Sequence, residues 1–390
     1  MMTTQKQRIL MLSSDFLPNI GGVAAYVYEL SKQLLKEGHE VIVLTKYDGF
    51  GVQTKEETLD GLRVIRVPFS PIKKVQDLEY VRRTRRIIKQ LIAIDAIDII
   101  HWHTLNKDSK VMRNIQFPSG AIVHTNHFVW FREMYRSGHF SKLQKMIPYT
   151  DHIISPSYEI EKMSRAVFPD SGVTRIPNGV DPTSFYPDQE LRQKTRLEYG
   201  IPNDHTVVVT TNRMSEEKGM GYLIDAIPDL LQKHDKLSFF LAGDGPELHY
   251  FEKKIGASTG YNPRVHFLGR IKNTDILSVV NTGDIFLQTS LEEGCSISVL
   301  EAMACEKPIV ATDIGGNPDI VRNGITGITI LPKSSEAVAE GLEKLLSDPA
   351  KRALYGANGK KDIEDQLNWE SLAKQVLTVY EKSLAKKLGQ

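Results

Sequence analysis

Over its first 155 positions the chain alternates short apolar runs with longer segments whose apolar residues recur every three or four places. "RILMLSS" reads as a short buried strand, "LPNIGG" as a loop, and "VAAYVYELSKQLLKEGHE" as a helix ending at Gly38, with "VIVLT" the next strand. "LRVIRV", "IDIIHWH", "GAIVHT" and "HIISPS" are further strand candidates. Strands apolar along their whole length and separated by helices predict a parallel sheet covered on both faces. "RIPNGVDPTSFYPD" (175–188) interrupts the pattern with three prolines and an Asn-Gly pair, and reads as a linker. Alternation then resumes through "TVVVTTN", a helix around "GYLIDAIPDLLQKH", and the strands "LSFFLAG", "RVHFLG", "DIFLQT", "KPIVATD" and "GITIL". The expected architecture is α/β: two Rossmann-like domains, 1–180 and 181–365, with parallel sheets facing across a cleft. The amphipathic segment 366–390 is expected to pack back on the first domain. In such sheets ligands bind at the carboxyl ends of the strands.

Composition narrows the class. A chain of 390 residues exceeds one ordinary core, in keeping with two domains. Lys plus Arg number 49 and Asp plus Glu 48, so no global charge draws the protein to nucleic acid. The two cysteines, Cys295 and Cys305, form no disulfide framework and suit a reducing compartment. The apolar run "ILML" is far shorter than a signal-peptide core, and no stretch approaches bilayer length. A cytoplasmic protein is expected, at most lying on the inner face of a membrane.

Chemistry concentrates in loops that follow strands of the second half. "NRMSEEKGMGYLI" sets Arg213 and Lys218 ahead of Gly219 and Gly221 at a predicted helix start. Two cations beside such a start offer charge, backbone approach and dipole together, which is what a diphosphate requires. An exposed charged turn is the plainer alternative, since Glu216 and Glu217 stand beside them. "GDGPE" (243–247) is a tight turn on either reading, and "RIKN" brings a backbone group of Ile271 within reach of a base edge. "SLEEGCSISVLEAM" (290–303) places Glu293 and Glu301 eight positions apart. Glu293 is expected in a loop and "SISVLEAMAC" in a helix whose first turn is Cys295, Ser296 and Ile297, with N–H groups lacking intrahelical partners. Eight helical residues rise about 12 Å, comparable to the span from a hexose through a diphosphate to a ribose. Glu293 then suits sugar hydroxyls and Glu301 a ribose diol, with phosphates between. Capping and solvation are the plainer alternatives, but a cap needs one carboxylate. "DIGGNPDIV" (313–321) adds paired glycines that let another helix start approach the site or simply form a turn.

"NRMSEEKGMGYLIDA", "GDGP", "FLGRI" and above all "EEGCSISVLEAMACEKPIVATDIGG" resemble retaining glycosyltransferases of family four, which have the GT-B fold. "GGVAAYVYELSKQLLKEGHEVIVLT" and "RIPNGVD" are similar to that family too, so the resemblance spans nearly the whole chain. It implies transfer of a hexosyl group from a nucleotide diphosphate sugar, taken as a UDP-sugar, to a hydroxyl acceptor such as a lipid or cell-envelope glycan precursor. The anomeric configuration is retained by front-face attack, and no metal or other cofactor is required. Carried over, Arg213 and Lys218 hold the diphosphate, Glu293 the transferred sugar, Glu301 the ribose and Ile271 the base through its backbone. The loop with Gly21 and Gly22 closes on the phosphates, and His124 in "AIVHTNH" faces the sugar from a strand end. One departure stands out: Cys295 and Ser296 occupy positions where many members have Phe-Gly, which preserves backbone contacts but alters the shape around the sugar. A nucleotide-sugar epimerase or hydrolase of the same architecture, and a nucleotide-sugar-binding protein without turnover, are the rival readings. A dinucleotide-dependent dehydrogenase is disfavoured because no G-x-G-x-x-G follows the first strand.

His101, His103, His124 and His127 raise the question of zinc, but the tight Cys/His spacing of structural sites is missing. Cys295 has no histidine near it in sequence and is not expected to act as a nucleophile. For the acceptor side, "IKKVQDLEYVRRTRRIIKQLIA" (72–93) sets Arg82, Arg83, Arg85 and Arg86 at helical spacing beside apolar residues, and "HFVWFREMYRSGHF" (127–140) mixes aromatics with arginines. Both fit peripheral contact with an anionic membrane; a solvated helix face and an ordinary acceptor loop are the alternative.

Overall fold

The structure is a computed structural model and describes residues 6–19, 21–50, 53–69, 72–105, 107–127, 129–259 and 263–389. The chain divides into two compact units, one running to Asn178 and resuming at Trp369, the other covering Gly179–Asn368. The first boundary falls close to the expected 180. The second lies at 368 rather than 365, because Val180 N–H donates to Leu367 O and the Asn368 amide holds Ile363 O and Glu364 O. Those bonds tie 366–368 to the second unit.

In the first unit the described strands are β1 (Arg8–Leu12), β2 (Glu40–Phe50), β3 (Lys55–Leu59), β4 (Leu62–Phe69), β5 (Ile99–Trp102), β6 (Ala121–Thr125), β7 (His152–Ser155) and β8 (Gly172–Arg175). Their order is β3-β4-β2-β1-β5-β6-β7-β8. All pairs are parallel except β3–β4, which departs from the all-parallel expectation. β3 reads "KEETL" and lies exposed at the sheet edge, where charge discourages pairing with another chain. Alternate residues of each strand feed opposite faces. Leu10, Leu12, Ile100 and Trp102 pack with Val111, Leu143 and Ile160. Ile9, Met11 and Ile99 pack with Tyr26, Leu30 and Leu34 and with Trp369, Leu372, Val376 and Tyr380 of the helix Trp369–Leu388. The final helix is therefore part of the first unit's core.

The second unit holds β9 (Thr206–Thr211), β10 (Leu237–Ala242), β11 (Val265–Gly269), β12 (Ile285–Gln288), β13 (Ile309–Thr312) and β14 (Gly327–Ile330). The order is β11-β10-β9-β12-β13-β14, parallel throughout. From β9 the chain builds outward through β10 and β11, then returns to lay β12 on the other side. The loops after β9 and β12 thus leave in opposite directions, and a crevice at such a switch point is where parallel sheets take ligands. In the first unit β1 lies between β2 and β5 and creates the same situation.

Candidate active site

At the switch point of the second unit, the loop after β9 carries Arg213 and Lys218. Residues Glu216–Lys218 form one short 3-10 turn, and Gly219 then adopts a left-handed φ of 61° to start the helix Met220–Lys233. A Cβ on Gly219 would lie 2.1 Å from the carbonyl oxygen of Thr289, at the end of β12. Only glycine permits that approach. The Thr289 hydroxyl donates to Lys218 O (3.0 Å) and Leu291 N–H to Glu217 O (2.9 Å), so the two diverging loops are sewn together. "GDGP" is more than a tight turn: Gly243 has φ 137°, and its Cβ would meet Asn212 O at 1.7 Å, which packs the β10 loop against the β9 loop.

Lys218 does not pair with its sequence neighbours. Its Nζ donates to Glu293 Oε2 at 2.8 Å, both side chains being largely covered. The same oxygen accepts from Gln288 Nε2 (3.2 Å) and Ser290 Oγ (3.1 Å). Arg213, by contrast, is 66% exposed and lies 4.0 Å from Glu217, a surface pair of little energetic weight. Sequence reasoning named Lys218 and Glu293 separately; Gln288 and Ser290 were missed, although a glutamine closing an otherwise apolar strand was the available signal.

The helix after Glu293 is shorter than expected. It spans Ile297–Ala304, with Ser296 as its N-cap accepting from Val299 N–H at 3.4 Å. Cys295 and Ser296 therefore lie outside the first turn, because a serine hydroxyl suits the cap and holds its own residue extended. Ile297 and Ser298 remain as first-turn N–H groups outside the helical ladder. Glu293 is in the loop, so the helical ruler between the carboxylates covers only Ile297–Glu301, about 6 Å of rise. Gly316 presses on this loop, a Cβ there falling 2.1 Å from Gly294 O. Glu301 is half-buried without a hydrogen-bond or ion-pair partner for its carboxylate among the described residues, and burial lifts its pKa to about 8. Such a group gains from any hydroxyl donor brought to it. Ile271 lies just past β11 and packs partly buried against the core of this unit. Cys295 and Cys305 are both buried, and burial pushes the Cys305 thiol up to about 12, far from a nucleophile.

In the first unit Gly21 and Gly22 are exposed and open the helix Gly22–Lys36, whose N-terminus has no side-chain cap. Before them, Ser14 N–H donates at 2.7 Å to Asp108, a fully buried carboxylate that also accepts from Tyr80 (3.2 Å) and Thr104. That carboxylate fixes the loop after β1, and nothing in "NKDSK" advertised it.

His124 is not placed as expected. It lies inside β6 with no exposure, its ring stacked on Trp102 at 3.8 Å and its Nδ1–H donated to Trp102 O at 2.9 Å. Burial holds it neutral, with a pKa of about 3. With no exposed surface, His124 presents no atom at the strand's end, although its Nε2 has no hydrogen-bond partner among the described residues. His127, two places beyond β6, is the partly exposed histidine there and contacts His103 at 3.3 Å. His101 bonds Tyr380 and Thr125, each at 2.7 Å, linking the sheet to the final helix. Among the described residues no set of three or more His, Cys, Asp or Glu side chains converges as a metal site would.

On the helix Lys73–Ile94, Leu78, Arg82, Arg86, Lys89 and Ile94 are exposed along one side and line a shallow groove of about 670 Å³. Leu78 is 70% and Ile94 78% exposed. Arg85 instead turns inward to Val111 O (3.0 Å), and Arg83 pairs with Glu79, so two of the four expected arginines face solvent on this stripe. In the aromatic segment, Trp130 and Phe140 are exposed, Arg132 is buried against Glu159, and Phe128 lies outside the described residues. Among the described residues no helix is long and apolar enough to cross a membrane.

Two α/β units with largely parallel sheets, each with a glycine-started helix at its switch point, and with a Lys–Glu pair in the second, have the GT-B fold. Residues 20–184 match the family described as Glycosyltransferase Family 4 and residues 192–362 that described as Glycosyl transferases group 1. The chain is a glycosyltransferase of the family-four type. It is 27% identical over 388 residues to the GPI3 subunit of the phosphatidylinositol N-acetylglucosaminyltransferase of Saccharomyces cerevisiae, covering 95% of this chain and 82% of that one. It is 27% identical over 371 residues to the phosphatidyl-myo-inositol mannosyltransferase of Mycolicibacterium smegmatis, covering 93% and 90%. Anabaena HepE, solved in complex with UDP-glucose, superposes with a TM-score of 0.76 at 20% identity, covering 96% of this chain and 99% of that one; that likeness concerns the fold.

Proposed function

We propose that the protein moves a hexosyl group from a UDP-sugar, with retention of configuration, to a hydroxyl of a lipid-linked acceptor at an anionic membrane surface. The observation that carries this reading is the Lys218–Glu293 pair, set beside the Gly219 helix start at the switch point. Lys218, Arg213 and the helix start gather positive potential for the leaving diphosphate, where negative charge grows in an oxocarbenium-like transition state. That set of cations supports turnover without a metal, and full activity in excess chelator is expected. Glu293 orients the sugar, Glu301 takes the ribose hydroxyls, and backbone groups at Gly21, Gly22, Ile271 and the Cys295–Ile297 stretch approach the remaining donor atoms. In the first unit His127, rather than the sealed His124, is the histidine assigned to the sugar. The leaving phosphate accepts the acceptor's proton, so Glu293 forms no covalent adduct. Two relatives named for transfer onto phosphatidylinositol, and a fold neighbour solved with UDP-glucose, support the donor and acceptor classes.

Release of UDP from UDP-glucose and UDP-N-acetylglucosamine, with and without phosphatidylinositol vesicles, tests the reading. Acceptor-dependent release that falls at least 100-fold in Glu293→Ala is expected, on the order of a lost charged contact plus misorientation. Release independent of any acceptor would indicate an epimerase or hydrolase, and tight binding without release a protein that only holds the nucleotide. The exposed stripe on Lys73–Ile94 is assigned to the membrane. Charge reversal at Arg82, Arg86 and Lys89 is expected to abolish flotation with acidic vesicles, and about 0.5 M salt to do the same to the wild type.

A further inference from the structure

The strand β12 is buried along its whole length, and its last residue is a glutamine with no exposed surface. A primary amide placed among Ile285, Phe286 and Leu287 loses its hydration and must recover it in hydrogen bonds. Gln288 does so entirely within the candidate donor site. Its Nε2 donates to Ser290 Oγ at 2.7 Å and to Glu293 Oε2 at 3.2 Å, and its Oε1 accepts from Ser298 Oγ at 3.4 Å. Ser298 Oγ in turn meets Ser296 Oγ at 3.0 Å, the hydroxyl that caps the following helix. One amide therefore joins the sugar-side carboxylate to the start of the helix that carries Glu301.

The position of Lys218 gives this network its purpose. Lys218 is the strongest donor to Glu293, yet the same ammonium is the cation assigned to the diphosphate. When phosphate oxygens draw Lys218, Glu293 loses its counter-charge and is free to follow. Gln288 and Ser290 approach the same oxygen from the strand end and are neutral, so they hold the carboxylate in place without cancelling its charge.

We propose that Gln288 is a positioning residue that uncouples recognition of the transferred sugar from the grip on the diphosphate; this rests on the donor reading given above. Calorimetric titration with UDP and with UDP-glucose tests it on wild type, Gln288→Leu and Gln288→Glu. Gln288→Leu is expected to bind UDP within about twofold of wild type while losing about tenfold for UDP-glucose, the scale of one hydrogen bond to a charged group. The preserved UDP affinity reports that the unit is folded. Gln288→Glu sets two carboxylates on one site, which must share a proton. Its affinity for UDP-glucose relative to UDP is expected to fall between about pH 6 and about pH 8, while in wild type that ratio stays flat, because the ribose-side Glu301 acts on both ligands alike. Equal losses for both ligands, no loss for either, or a pH-flat ratio in Gln288→Glu would overturn the inference and leave the donor reading standing. A wild type that binds neither ligand would overturn both.

Discussion

At the scale of single residues, charge state separates two glutamates that look alike in sequence. Glu293 is surrounded by three donors to one oxygen, whereas Glu301 is half-buried without a carboxylate partner among the described residues, with a pKa raised by burial to about 8. A carboxyl whose pKa is higher folded than unfolded holds its proton more tightly in the folded state. Its favourable contribution is complete below the unfolded pKa of 4.5 and disappears as pH rises to about 8. Thermal melting of wild type and Glu301→Gln over that range checks this. The variant is expected to melt higher at pH above 8 and to lack the decline between the two values, while losing affinity for UDP. Equal melting curves at every pH would contradict the assignment. His124 and His127 show the opposite side of residue-scale reading. "AIVHTNH" announces histidines near a strand end, but the sequence does not say that His124 is sealed inside β6 while His127, two places past its end, is partly exposed.

At the scale of elements, the site depends on glycines that let loops touch. Gly219→Ala introduces both an unfavourable positive φ and a clash at 2.1 Å with the Thr289 carbonyl. Destabilisation of about 1–3 kcal/mol is expected, with a marked loss of UDP affinity as the helix start retreats from β12. Urea unfolding and UDP titration of the same sample measure both, and an unchanged midpoint would mean that the two loops are not in contact. The periodicity of the sequence was enough to locate twelve of the fourteen described strands, because each is apolar along its length and bounded by glycine or polar residues. The two that escaped have physical reasons. β3 is charged and exposed at an edge, and β8 is four residues long, "GVTR", directly before the proline-rich linker. The helix after Glu293 was legible as a helix; its start was not, since a serine reads equally well as a cap or as a first-turn residue.

At the scale of the whole molecule, a cluster of four largely buried histidines makes the first unit sensitive to acid. His101, His103, His124 and His127 sit in the first unit, all with pKa values lowered by burial from the usual 6.5. A histidine depressed in the folded state takes up its proton more readily unfolded, so stability is lost as pH falls below 6.5. All three tryptophans, Trp102, Trp130 and Trp369, belong to the same unit. Tryptophan emission is therefore expected to report acid unfolding of the first unit between about pH 6 and about pH 3, ahead of the loss of far-ultraviolet ellipticity contributed by the second. Coincident transitions would show that the units unfold together. The general architecture was legible from alternation alone, and the glycosyltransferase class from the "EEGCSISVLEAMACEKPIVATDIGG" stretch. What was not legible is the polar wiring, Asp108 under the first loop and Gln288 under the second, because a buried hydrogen bond leaves no periodic trace.

Trp369, Leu372, Val376 and Tyr380, with Ala373, Leu377 and Val379 of the same helix, complete a hydrophobic face whose other buried members were laid down within the first 176 residues. A ribosome delivers those partners last, after every strand of the intervening unit has emerged. The earlier half must wait with that face uncovered while the later half closes on itself, so the order of maturation runs against the order of synthesis. Ending translation before position 369 would strand an otherwise finished sheet beside a bare apolar wall, which makes this tail the natural place to look for dependence on chaperones.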